Sequence, residues 1–446
     1  MSPEWRLASL HMTTELSTID GPLWTKDTDG YDEARLGFQR LDPHQPAYVV
    51  GVTCAQDVQL AVRFAHENGL KLAVKATGHG HLNPLDGGIL ITTDRLSNVT
   101  IDPDAKTAWI EAGATWKQVI DAAAPHGLAP LSGSFPNLGA IPYILGGGLG
   151  LMARQYGYTA DHVRRIEVVT PDGVLRNAED DPNLFWALRG GIGNFGIVTR
   201  LEIDLFPVKT LYGGSLYYDL KANPGALETW REWTLTVPDS VTSAVAVLVF
   251  PDIPQVPAPL RGKHVAQFQL SILDGGEDLV RPLRQIGEPL VDTVGELPYT
   301  ESAKIFAEPD RADAFSSRNV LLSALDPKAL ATVPKLTGRK ARCIIGIRHL
   351  GGALAKAPEV PNAMGHRDAQ YSVTVLSIGE KDESALQRAI LDPFADQVIG
   401  RLLNFSSAAL DEADLRAAFD EGDYERLWEL RARYDSDELL QPNHPF

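Results

Sequence analysis

Three glycine-rich loops between Lys75 and Gly196 constrain this chain more than any other feature. The first, Lys75-Ala76-Thr77-Gly78-His79-Gly80-His81, follows the apolar run Leu72-Ala73-Val74. The second is Gly146-Gly147-Gly148-Leu149-Gly150, and the third runs from Gly190 and Gly191 through Gly193 to Gly196. Glycine lets backbone N–H groups close around a pyrophosphate with no Cβ in the way. One such loop is weak evidence. Three in succession imply one extended anionic cofactor. The third loop formally contains G-x-G-x-x-G, but a Rossmann site needs a strand before that motif and a helix after it. Here helix-like Leu184–Arg189 precedes it and strand-like Ile197–Phe206 follows, so a nicotinamide dinucleotide is rejected.

The surrounding pattern alternates strands and helices. Tyr48–Val52 reads as a strand, and Thr53 with Gln56 as a capping box. Val58, Val62 and Ala65 recur at helical spacing, and Gly69 marks a stop. Ile89–Ile91 and Ala108–Ile110 read as strands, Trp116–Ala124 as a helix, and Ile166–Thr170 with Val174–Arg176 as strands joined by the turn Pro171-Asp172-Gly173. Past Pro207 the texture changes. Alternating runs such as Ser243–Val249 and Tyr371–Val375, with proline-rich joints, predict a second α+β domain holding a substantial antiparallel sheet. Asp411 to Tyr434 reads as helix. The expected division is an N-terminal segment 1–42, a cofactor domain 43–209, a substrate domain 210–400 and a C-terminal segment 401–446.

The 446 residues carry a formal charge of −17, which repels phosphate backbones and anionic lipid and makes nucleic acid and membrane poor partners. Two cysteines, Cys54 and Cys343, cannot form a disulfide framework and read as structural thiols. No signal-peptide anatomy is evident, so a cytoplasmic setting is expected, and residues 1–11 read as a possible leader ahead of Met12. His79 and His81 flank Gly80, but no third metal ligand is evident for the pair.

These residues resemble the FAD-linked oxidases of the berberine-bridge-enzyme and 6-hydroxynicotine-oxidase type, whose cofactor domain is vanillyl-alcohol-oxidase-like. In that family an R-S-G-G-H-like turn supplies a histidine that bonds the flavin. Here the turn is Lys75-Ala76-Thr77-Gly78-His79, so His79 takes the covalent position. The resemblance continues through Asp86-Gly87-Gly88-Ile89, the second loop, Tyr156-Gly157-Tyr158-Thr159-Ala160-Asp161, Asn183 to Thr199, and the tail residues Tyr424, Leu427, Tyr434-Asp435 and Asn443-His444. It implies FAD held by Ala76 through His81, by Leu138 and Gly139, by Gly146, Gly147, Gly148 and Gly150, by Tyr156 and Asp161, by Gly193, Gly196 and Ile197, and by Asn404 and Asn443.

The departures matter as much. Many relatives add a second flavin bond from a cysteine in a C-P-T-V-G segment. This chain reads Phe135-Pro136-Asn137-Leu138-Gly139, which leaves His79 as the one candidate anchor. Leu138 is bulkier than the residue that true oxidases of the family often have there, so oxygen or another acceptor could reoxidise the flavin. Leu402-Leu403-Asn404-Phe405 lacks the family's catalytic tyrosine. The implied chemistry is hydride transfer from a small organic molecule (an alcohol, an amine or a phenolic natural product) to flavin N5. His349, His366 and Tyr371 are the candidate bases, and Tyr143 could face the flavin or pack. The alternative is a non-redox cyclase or isomerase using the flavin pocket as a shaped cavity.

Overall fold

The computed structural model describes residue 16, residues 18–338 and residues 343–446. The proposed leader 1–11 lies outside them. Three sheets carry the chain. The first holds β1 (Leu23–Trp24), β2 (Tyr48–Gly51), β3 (Leu72–Lys75) and β4 (Ile89–Thr92) in the order β1-β2-β4-β3. The pairs β2–β4 and β3–β4 are parallel, as a strand–helix–strand unit requires. The helix Ala55–Glu67 joins β2 to β3 and buries Val58, Ala61, Val62 and Ala65 on one side. Its start differs from the expected capping box. Cys54 occupies the N-cap position without a side-chain bond, and the Asp57 carboxylate instead accepts from the N–H and hydroxyl of Thr53, both at 2.8 Å. A reciprocal capping box forms at Thr115 and Gln118, ahead of the helix Trp116–Ala123.

The second sheet is antiparallel and holds β5 (Val99–Asp102), β6 (Thr107–Glu111), β7 (Val163–Val169), β8 (Leu175–Asn177) and β9 (Ile197–Asp204) in the order β5-β6-β9-β7-β8. The helix Pro182–Ala187 precedes the third glycine loop and β9 follows it, the inverse of the Rossmann order. The third sheet is the large antiparallel one. It contains β10 (Thr210–Asp219), β11 (Val241–Val249), β12 (His264–Ile272), β13 (Val291–Asp292), β14 (Gly295–Pro298), β15 (Phe315–Leu322), β16 (Cys343–His349), β17 (Tyr371–Ile378) and β18 (Val398–Gly400). Its order is β13-β10-β12-β11-β16-β17-β15-β18, with β14 also on β10. This matches the expected α+β organisation, two smaller sheets beside a part built on one large antiparallel sheet.

One apolar core joins residues of the first two sheets to Leu415, Phe419, Tyr424, Leu427, Leu430, Leu439 and Leu440 from the chain's end. A separate core lies between one face of the large sheet and helices such as Ala226–Thr234 and Ser384–Leu391. The tail therefore returns to the first two sheets. Leu72 N–H donates to the Leu439 carbonyl and Gln441 N–H to the Leu72 carbonyl, at 2.8 and 2.7 Å. The helical stretch near the end is two helices, Glu412–Arg416 and Asp423–Tyr434, separated by Gly422 at φ 84°. Of the cysteines, Cys343 is buried and Cys54 is only half-buried. Among the described residues no helix is long and apolar enough to cross a membrane.

Candidate functional site

The first glycine loop begins where β3 ends. Residues 37–39 lie along it: Phe38 N–H donates to the Thr77 carbonyl at 3.0 Å and Gln39 N–H to the Gly78 carbonyl at 2.9 Å. Gly78 has φ 69°, and a Cβ there would stand 2.5 Å from the Gly37 Cα, so only glycine fits the approach. This contact sets the His79 ring. Phe38 stacks on it at 4.0 Å between centroids and 11° between planes, and Phe135 lies 5.2 Å away, tilted. His79 Nδ1 hydrogen-bonds Thr77 Oγ1 at 2.8 Å, and that oxygen also accepts from Gly139 N–H at 3.2 Å. Nε2 is buried without a hydrogen-bond partner among the described residues. Burial pushes the ring's pKa down to about 4, so the imidazole is neutral at pH 7. Phe135 is thus a side wall of the His79 crevice. His81 turns elsewhere, bonding the Asp42 carbonyl at 2.6 Å and facing His44.

The other two loops are joined to each other by backbone hydrogen bonds. Gly190 and Ile192 N–H groups donate to the Leu145 carbonyl, tying the third loop to the entrance of the second. Thr159 and Ala160 donate to Gly148 and Gly147, which brings the Tyr156–Asp161 segment alongside. Asn443 accepts from Leu82 N–H at 3.2 Å, and Asn194 donates to the His444 carbonyl at 3.0 Å. The tail therefore clasps the first and third loops together. Asn404 donates to the Tyr143 carbonyl at 2.8 Å, with its amide packed directly against Gly146. Tyr143 is turned into the core, edge-on to Trp116 at 5.3 Å. Gly80 and Gly193 have open space where a Cβ would stand. Gly196 abuts Val168 and Val169, and Ile197 opens β9 opposite Val169. Leu138 is half-buried against the first core.

Two of the cofactor candidates have other tasks. The Asp161 carboxylate is taken by Arg367 at 2.7 and 3.1 Å and by Asn362 at 2.7 Å, a part-buried bridge between the two parts of the molecule. Tyr156 packs on Phe206 at 4.1 Å.

The large sheet presents two unlike faces. Strand pairs such as Val245–Phe268, Val245–Ile347 and Ile347–Val373 belong to the apolar core. One residue along, the opposite face is polar. It aligns Thr242 with Ser271, Ala244 with Gln269 and Arg348, Ala246 with Gln267 and Gly346, and Arg348 with Ser372. This face turns toward the second glycine loop: a narrow cavity is lined by Leu149, Gly150, Gln269, Ser271, Phe306 and Arg348. The Arg348 guanidinium lies over the rings of Phe306 and Phe405, at 4.7 and 5.1 Å to their centroids. Burial lowers its pKa, with the Glu308 carboxylate acting against that shift.

The three expected bases stand off this face. His349 and Tyr371 are paired across β16 and β17 on the apolar side. The Tyr371 hydroxyl meets Thr234 at 2.6 Å, and His349 Nε2 meets Arg154 at 3.0 Å. His366, at φ 52°, bonds the Ala417 carbonyl at 3.0 Å and packs on Gly400. His349 and Tyr371 stack at 5.6 Å between centroids, and His349, at the end of β16, borders the cavity, while His366 lies apart from both. Sequence reasoning missed Phe38 and Arg348. Nothing local marks Phe38. Arg348 carried a signal in the alternation Ile345, Ile347, His349 against Gly346, Arg348, which puts the arginine on the opposite face from the apolar set.

Comparison with known proteins agrees with this architecture. Residues 46–179 match the family model described as an FAD binding domain. The FAD-linked oxidoreductase YgaK of Bacillus subtilis (strain 168) is 25% identical, covering 96% of this chain and 97% of its own. The (R)-6-hydroxynicotine oxidase of Paenarthrobacter nicotinovorans is 29% identical over 67% of this chain and 66% of its own. Among solved structures, the glucooligosaccharide oxidase of Acremonium strictum, described with a 6-S-cysteinyl, 8α-N1-histidyl FAD, superposes with a TM-score of 0.81 at 19% identity, covering 96% and 97%. The chain is an FAD-dependent oxidoreductase, similar along its length to FAD-linked oxidoreductases and oxidases, and it shares the fold of 6-hydroxynicotine oxidase and of berberine-bridge-enzyme-like proteins.

Proposed function

We propose that this enzyme tethers FAD through His79 alone and oxidises a small organic molecule held on the polar face of the large sheet. The observation that carries the tether is the His79 imidazole. It is neutral, clamped between Phe38 and Phe135, and has one nitrogen bonded to Thr77 and the other buried without a partner. An unsatisfied buried nitrogen costs about 1–3 kcal/mol, and a bond to the flavin removes that cost. The glycine loops and the Asn443-His444 tail form the cradle for the rest of the cofactor. In this reading 43–209 and 401–446 make the cofactor part and 210–400 the substrate part.

When bound, FAD supplies the two-electron acceptor. The chain's own residues orient both reactants. Phe38 and Thr77 fix the anchor, while Gln267, Gln269 and Arg348 stand where a substrate would lie. Dioxygen or another acceptor completes the cycle. Acid precipitation tests the tether: yellow colour should stay with the pellet, and His79→Ala should release it to the supernatant. Flavin that stays covalent in that variant removes the assignment. Anaerobic bleaching by a turned-over substrate tests the redox role, since conversion without bleaching would favour the cyclase or isomerase reading.

A further inference from the structure

The polar face carries a cation without a counter-ion. Arg348 has no hydrogen bond and no ion pair within the described residues. Its fixed interactions are with the faces of Phe306 and Phe405. Stacking engages the plane of the guanidinium and leaves its edge N–H groups, the part that grips an oxyanion bidentately, uncommitted. The nearest acidic influence, Glu308, is exposed, and its carboxylate already accepts from Ser134 at 2.5 Å. Arg348 is half-buried, and an unpaired charge held partly off from solvent is costly, so in a chain with 58 acidic residues the missing partner needs a reason.

The surroundings give one. Beside Arg348 the floor of the face is small, made by Ala244, Ala246 and Gly346, and a Cβ on Gly346 would meet nothing within 4 Å. Two further polar groups border the same cavity unengaged. Ser271 Oγ is buried without a partner, and the Gln269 amide, 6% exposed, has no hydrogen bond among the described residues. Neutral donors next to a free guanidinium, above a floor with room for a ligand, form a receptor for a flat molecule with a negative end.

We propose that Arg348 receives an oxyanion of the substrate, a carboxylate or an ionised phenol, with Gln269 and Ser271 as accessory donors. The proposal rests on the reading of this face as the substrate face, and narrows the substrate class to acids.

Calorimetry on the protein with its flavin tests it with three probes: benzoate, 4-nitrophenolate at pH 8.5 and neutral benzamide. The wild type should bind an anion in preference to benzamide, and which anion binds separates the carboxylate from the phenolate source. Arg348→Met should weaken that anion by roughly 30-fold or more and leave benzamide nearly unchanged. Arg348→Lys, which keeps the charge but not the fork, should fall between. Gly346→Leu should abolish binding of anion and amide alike by filling the floor.

Equal affinity for benzoate and benzamide overturns the proposal, as does anion binding that Arg348→Met leaves untouched. Flavin loss from Arg348→Met with anion binding preserved would assign the cation to the cofactor, and overturns it too. The flavoenzyme reading is checked separately, by the colour of the acid pellet.

Discussion

His349 should make the fold around the large sheet acid-sensitive by a computable amount. Arginine can only donate, so the 3.0 Å contact from Arg154 makes His349 Nε2 the acceptor. The ring proton is then on Nδ1, which is buried without a partner. Protonating Nε2 would break the bond and set two cations together. Burial and Arg154 accordingly push the His349 pKa down to about 3. The unfolded-state value is about 6.5. A histidine with a depressed folded pKa contributes stability that is fully present above pH 6.5 and lost as pH falls toward 3. At pH 5 the loss from this one group is about 2 kcal/mol, from 1.36 kcal/mol per unit. For a unit of roughly 150–250 residues that corresponds to about 4–8 °C of melting temperature. His349→Gln offers Arg154 an amide oxygen that does not titrate. Melting curves at pH 7.5, 6 and 5 should therefore converge, the wild type losing about 2 kcal/mol more than the variant. His44, His79 and His444, each lowered to about 4 by burial, act equally in both proteins and cancel in the difference. Parallel curves for the two proteins would refute the buried Arg154–His349 bond. The same geometry removes His349 as a base, because its accepting nitrogen is spent on an arginine.

Gly78→Ala should cost about 2–4 kcal/mol, combining the left-handed backbone penalty with overpacking against Gly37. Flavin content and melting temperature report it, and a fully yellow variant melting like wild type would contradict the close approach. Arg367→Met should cost about 3–5 kcal/mol by leaving the buried Asp161 carboxylate without its cation. Adding Asp161→Asn should recover part of that loss in a thermal melt, and no recovery would show that the pair does not act as a unit.

The cofactor part was largely legible because its signals are local. Leu72–Val74 before a glycine turn, and helix–glycine loop–strand around 184–206, fix element types from short windows. The part built on the large sheet was legible only as texture. The expected bases were chosen by residue type, and strand register turned two of them off the polar face: His349 and Tyr371 occupy the parity of Ile347 and Val373, although His349, at the end of β16, still borders the cavity. Register is set by partners far along the chain, so the eye that finds histidines cannot see which face they take. Phe38 illustrates the same limit, since its place over His79 follows from the pairing of residues 37–39 with the first loop and from no local motif. The Thr53 capping box failed because Asp57, one position beyond the glutamine, offers a charged acceptor that takes both the Thr53 N–H and its hydroxyl proton.

Register also limits the chemistry open to the site. On the four central strands β12, β11, β16 and β17, the polar face presents Gln267, Gln269, Ser271, Thr242, Arg348, Ser372 and Thr374, with no carboxylate or histidine among its described residues. Oxidation at a carbon bearing O–H or N–H must release a proton as well as a hydride. A neutral alcohol on this face would find no acceptor on these strands. A phenol ionised beforehand has already given that proton to water, and a guanidinium beside it favours the ionised form, whereas a carboxylate still has the proton of its oxidised O–H or N–H to release. The unpaired cation and the missing base are thus two consequences of one choice of residues. If the substrate lies on this face as proposed, they select differently, against neutral molecules by unmet charge and against weakly acidic alcohols by want of a base on these strands, and an ionised phenol meets both conditions while a carboxylate meets the first.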